Sequence, residues 1–156
     1  MPSRRDLIRM SPAEVQAYIT EQRRIIVVTI GPDGMPHPMP MNNGVDEQGR
    51  VVMTTFRKSQ KVRNVERDPR ATLLVESGEG YSDLKAVILF AEVEIVDDPE
   101  TVRGEMSRIR AGEETAQSIS GPMSDQVRAS IAKRVVLRFT PFRTISWDHG
   151  KLGEFY

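Results

Sequence analysis

Apolar residues recur along this chain in two rhythms, one helical and one extended, and their succession lays out the expected elements. From Met10 to Gln22 the stripe Val15, Tyr18, Ile19 has helical spacing. Ser11 stands where an N-cap belongs, Pro12 at the first helical position, and Glu14 where a capping-box carboxylate reaches back. Met10 and Val15 are at staple spacing. A helix is predicted there, its stripe turned to the core. Arg24 to Ile30, RIIVVTI, is β-branched and too apolar for a strand with one wet face. Gly31-Pro32-Asp33-Gly34 is a turn. Met35 to Asn42, MPHPMPMN, follows, with prolines at 36, 38 and 40. Alternating prolines forbid a ladder bond at every second residue, so an edge-like or bulged extended segment is expected. A ligand along its proline side would meet backbone carbonyls and Met side chains. An edge strand guarded against aggregation fits the same pattern.

Asp46 to Gly49 reads as a second turn, Val51 to Phe56 as a third strand and Ala71 to Val75 as a fourth. Glu76 to Tyr81 is a loop. Ala86 to Val96 is the longest extended pattern, and its second half alternates, with Ala91, Val93 and Ile95 set against Glu92 and Glu94. Asp98-Pro99-Glu100 opens another helix with Val102, Met106 and Ile109 on one face. Ala111 to Met123 is polar, a loop or weak helix. Ser124 to Lys133 is a short helix with Val127 and Ile131 inward. Arg134 to Phe139 and Arg143 to Trp147 are expected as two strands broken at Pro141. This amounts to about six or seven mainly antiparallel strands and three or four short helices. The pattern predicts an all-β barrel with peripheral helices, an α+β arrangement rather than a βαβ sheet.

Composition narrows the function. The chain has 156 residues, which fits a single domain over 1–156. Lys and Arg number 22 against 22 Asp and Glu, so no global field draws the protein to nucleic acid or to a membrane surface. Any anion site must be local. The absence of cysteine removes disulfides, thiolate metal sites and thiol nucleophiles. The start of the chain has no apolar leader, and no run reaches the length of a membrane span. A soluble cytoplasmic protein is expected.

The local charge lies in Thr54 to Ala71, TTFRKSQKVRNVERDPRA. An apolar strand passes through the basic turn Arg57-Lys58 into a short helical pattern that stops at Asp68-Pro69. Ser59 is expected to cap that helix, whose first N–H groups and dipole attract anions. Lys61 and Asn64, three apart, share a face; Lys58 can swing over the same end. Val62 and Val65 anchor the other face, while Arg63 and Arg67 are expected to point outward. The two readings are a phosphate site and a solvated basic helix. Other signatures are missing: no Gly-rich dinucleotide fingerprint, no phosphate loop, no nucleophile elbow, and only His37 and His149, without metal spacing. Near the end, Trp147 and Lys151 are compatible with a ring-stacking surface and an anion partner, or with a core Trp beside a surface Lys.

With these residues in view, the chain resembles the split β-barrel flavin-binding family of pyridoxamine 5′-phosphate oxidase, and most closely its branch using the deazaflavin coenzyme F420. The resemblance spans nearly the whole chain. It rests above all on the strand followed by Lys-Ser-x-Lys-x-x-Asn and Arg-Asp-Pro-Arg-Ala, together with RIIVVTIGPDGMPHPMPM and VVLRFTPFRTISWDHGKL. It implies a homodimer with two cofactors at the interface. The cofactor phosphate would lie at Lys58, Ser59, Lys61 and Asn64. Its ring would lie against Pro38, Met39, Pro40, Met41, Thr54, Thr55 and Phe56. Trp147 and Lys151 would line the cleft, in one arrangement from the partner chain. The implied activity is hydride transfer from reduced coenzyme F420 to a small unsaturated or conjugated substrate, with an FMN-dependent oxidoreductase or a non-catalytic carrier as alternatives. The oxidase's own substrate-binding C-terminal motif is not visible, so oxidation of pyridoxamine phosphate is not expected.

Overall fold

The computed structural model describes residues 3–110 and 122–155. The chain opens with α1 (Arg4–Ile8), α2 (Pro12–Glu21), β1 (Arg24–Ile30), β2 (Pro36–Asn42), β3 (Gly44–Val45) and β4 (Val51–Phe56). It continues through α3 (Gln60–Arg67), β5 (Arg70–Ser77), β6 (Lys85–Val96), α4 (Pro99–Arg110), α5 (Asp125–Ala132) and β7 (Arg134–Asp148), and ends in 3-10 turns over His149–Phe155. The seven strands form one antiparallel sheet in the order β2-β1-β5-β6-β7-β4-β3, curled into a split half-barrel. The expected barrel with peripheral helices is the observed architecture.

Most boundaries follow from local chemistry. Ser11 and Glu14 form the expected capping box at the start of α2, whose Tyr18 and Ile19 are buried. Asp98 caps α4 by accepting from the Thr101 amide at 2.9 Å. In β1, Ile25, Val27 and Thr29 face the interior while Ile26, Val28 and Ile30 are half-covered, so neither face is fully wet. The main core fills the barrel with one face of each long strand, and Val62 and Val65 of α3 belong to it. A second, smaller core lies outside the barrel, where Val52 and Val136 meet Val102, Met106 and Ile131 of α4 and α5. Strand alternation gives β4 and β7 an apolar residue for each core.

Three features depart from the sequence reading. α1 was not anticipated: it buries nothing, so no apolar stripe marks it, and the Ser3–Asp6 capping box is its main signal. β3 is a two-residue pairing too short to show a period. The two strands expected around Pro141 are one strand of 15 residues. Phe90 pairs with Arg143 and Ala91 with Pro141, so Phe142 is an extra residue in a bulge. Pro141 has no N–H to give, and the bulge absorbs this while β6 keeps both halves of β7 paired. The stretch expected as loop or weak helix at 111–123 falls mostly outside the described residues.

Candidate functional site

The corner after β4 has two faces. Alternation along β4 sends Thr55 toward the barrel interior and Thr54 and Phe56 toward the outer side. On the inner face Lys61 is only 7 % exposed, and its Nζ donates to Thr55 Oγ1 at 3.0 Å. Ser59 Oγ stands 3.5 Å from the same hydroxyl. No carboxylate pairs with Lys61 among the described residues. Burial alone pushes its ammonium pKa below the ordinary lysine value. Ser59 occupies the N-cap position of α3 with extended backbone, but its side chain makes no capping bond. The expected serine cap is therefore not formed, and the first N–H groups of α3 carry no side-chain cap.

Asn64 is fully buried behind Lys61. It donates to Thr29 Oγ1 at 3.0 Å and accepts from Gln60 Nε2 at 2.8 Å, so its amide bonds within the chain. Arg67 is exposed, as expected, while its guanidinium donates to the Ile30 carbonyl and stands 3.5 Å from Asn64 Oδ1. Arg63 is exposed, as expected, and so is Lys58. Arg57 turns away to pair with Asp97 at 3.2 Å.

The outer face holds a cleft of about 390 Å³ lined by Pro40, Met41, Asn42 and Thr54, with Arg24 and Arg134 at its border and Met106 and Ile109 of α4 behind. The Phe56 ring, 53 % exposed, lies 4.3 Å under the Arg134 guanidinium. The two arginines were missed by sequence reasoning. Each opens a strand, and Arg134 comes opposite Phe56 only through the β4–β7 register. Met39 packs against the main core and Pro38 is exposed on the outer strand, so these two do not join the cleft.

Both flanks of the split are open edges. β2 pairs only with β1, and its prolines at 36, 38 and 40 alternate with the residues able to donate to β1. The proline carbonyls therefore face outward along the edge, with no N–H beside them. β4 pairs along its length with β7, but with β3 only at Val51 and Val52, so one edge of Met53–Phe56 is unpaired among the described residues. The inner ammonium and the outer cleft meet at that edge.

Trp147 and Lys151 lie elsewhere. Trp147 pairs with Ala86 at one end of the antiparallel β6–β7 ladder, whereas the corner adjoins the other end, where Val96 faces Val136. Lys151 donates to the Arg9 carbonyl at 2.9 Å and to Glu14 Oε2 at 2.7 Å, clamping the C-terminal turn to α2. That ammonium, with the Ser11 bonds, holds the Glu14 carboxyl down at about 2. The structure thus brings Ser59, Lys61, Asn64 and Thr55 together, sets Pro40, Met41, Thr54 and Phe56 beside them, and keeps Trp147 and Lys151 apart from both groups within one chain.

Comparison with known proteins agrees with this architecture. A family model described as pyridoxamine 5′-phosphate oxidase matches residues 11–148. A conserved hypothetical protein from Mycobacterium tuberculosis, Rv2991, is 36% identical over 97% of this chain and 93% of its own, with a TM-score of 0.82. An F420 reductase is 22% identical over 83% of this chain and 94% of its own, with a TM-score of 0.64. An FAD-binding protein from Mesorhizobium loti is 14% identical over 88% of this chain and 93% of its own, with a TM-score of 0.63. No curated protein matches the sequence.

Proposed function

The chain belongs to the pyridoxamine 5′-phosphate oxidase family, and from that membership we propose that it is an oxidoreductase binding a flavin-type cofactor at the split between β2 and β4. The observation that carries this reading is Lys61: a buried ammonium held only by a neutral hydroxyl, beside an uncapped helix start and between two unpaired strand edges. A buried cation without an anion is costly, and a phosphate would relieve it with charge-assisted bonds. Ser59 Oγ and the first N–H groups of α3 would complete that hold, with the exposed Lys58 beside it. Asn64 would act indirectly, fixing α3 against Thr29. The ring would rest on Pro40 and Met41 of the proline edge and on Thr54 and Phe56, with Arg24 and Arg134 beside it.

We favour coenzyme F420 over FMN. The proline-rich ring side and the SWDHGK ending incline the sequence toward it, and an F420 reductase shares the fold. FMN or FAD is the second reading, supported by the FAD-binding protein of the same fold. Reduced deazaflavin supplies a hydride, here to a small unsaturated or conjugated substrate. The chain's own task is binding, orientation and exclusion of water, with the balancing proton drawn from solvent. Since Trp147 and Lys151 cannot reach the corner of their own chain, their part in the site requires a homodimer in which the partner supplies them.

Titrating the protein with F420 and with FMN while following Trp147 fluorescence tests the reading. Saturable F420 binding at micromolar levels, tighter than FMN, is expected, followed by oxidation of the reduced cofactor with an enone or nitroaromatic panel. Binding of neither cofactor overturns it; F420 binding without turnover on any substrate leaves a carrier.

A further inference from the structure

We propose that the cleft between α2 and the middle of β7 is a second ligand site, separate from the cofactor corner of the same chain, for a small amphipathic organic anion: an aromatic or aliphatic body bearing a carboxylate or an equivalent oxyanion. The cleft encloses about 750 Å³, within the roughly 300–1,000 Å³ common to small-molecule sites. Four arginines line it, Arg5, Arg9, Arg50 and Arg143, and no acidic side chain does. Arg9 pairs with Asp6 at 3.1 Å and Arg50 with Asp46 at 2.9 Å. Arg5 and Arg143 have no carboxylate partner among the described residues, and the Arg143 guanidinium is steadied 4.9 Å over the Phe90 ring. In a chain whose total charge is zero, this leaves a local positive excess in one concavity. Guanidinium groups match carboxylate geometry bidentately.

Between the arginines the wall carries Ile19, Leu89 and Ile145 beside the polar Gln16, Thr144 and Ser146, a mixed lining that suits an amphipathic body rather than a free inorganic ion. The walls are tied in place. Met10 N donates to Ser146 Oγ at 3.2 Å, and Gln16 Nε2 donates to the Gly49 carbonyl at 3.1 Å, fixing α2 to β7 and to the turn before β4. Val51 borders this cleft at the start of β4, whereas the corner begins at its end, about 17 Å away at ~3.3 Å per residue.

Binding of 8-anilinonaphthalene-1-sulfonate to the folded full-length protein tests the assignment. Saturable enhancement with one probe per chain is expected, displaced by decanoate but not by decyltrimethylammonium. Arg5→Ala with Arg143→Ala should weaken the probe about tenfold or more at unchanged circular dichroism, and Arg143→Lys, which keeps the charge without the fork, should fall between the wild type and Arg143→Ala. Absence of saturable binding, equal displacement by both amphiphiles, or unchanged affinity in the double variant overturns the proposal. So does an equal loss in Lys61→Ala, which would assign the probe to the corner. Enhancement that appears only when an oligomer is diluted to monomer would assign the cleft to a subunit interface, and would also overturn it.

Discussion

Lys61 was legible in the sequence as a cation three residues before Asn64, but its burial was not, because burial depends on α3 closing over Thr55 and Thr29. That burial has a pH consequence. With its pKa below the ordinary lysine value of 10.5, Lys61 loses its proton earlier than an exposed lysine as pH rises. Phosphate-dependent cofactor affinity should therefore begin to fall at a pH below that value, measured by titration across alkaline buffers; flat affinity through pH 10 would count against a charged Lys61 in the site. The Asn64 amide bonds to Thr29 and Gln60 within the chain. Asn64→Ala should cost about 1–3 kcal/mol in urea unfolding, the penalty for stranding buried partners. Glu14 supplies an acid-side test. Its carboxyl, held at about 2 chiefly by Lys151, lies below the ordinary 4.5, so the clamp is intact above 4.5 and is lost as pH falls toward 2. In Lys151→Met the Glu14 carboxyl resonance should titrate nearer 4.5, with the Ser11 bonds keeping it somewhat low.

At the scale of elements, periodicity found what was long and periodic. β1, β4 and β6, and the helices with apolar stripes, stand where the pattern put them, because each offers one face to a core. What escaped was set by partners distant in sequence. Pro141 looked like a strand break, yet β6 runs past it and turns the break into a bulge at Phe142. Ser59 looked like a cap, yet its hydroxyl turns toward Thr55. The proline-rich strand was legible as an edge; that its open edge belongs to the same split as the end of β4 required the sheet order. Arg24 and Arg134 were invisible as site residues for the same reason: they converge on Pro40 and Thr54 through strand register, not through sequence proximity.

The whole molecule is a split half-barrel of the pyridoxamine 5′-phosphate oxidase family, and no helix among its described residues is long and apolar enough to cross a membrane. The open edges of β2 and β4 and the remote position of Trp147 and Lys151 carry the proposal of a homodimer. Sedimentation equilibrium should give twice the chain mass of 17.6 kDa at micromolar concentration, and a monomer there would leave the corner without Trp147 and Lys151. The central claim is that Lys61 holds the phosphate of a flavin-type cofactor. Calorimetric titration of the wild type and Lys61→Ala with F420 and FMN tests it most directly. Loss of one charge-assisted contact, about 1.5–3 kcal/mol, should weaken the preferred cofactor about tenfold or more without unfolding the variant. Equal affinity in the two proteins would contradict the assignment.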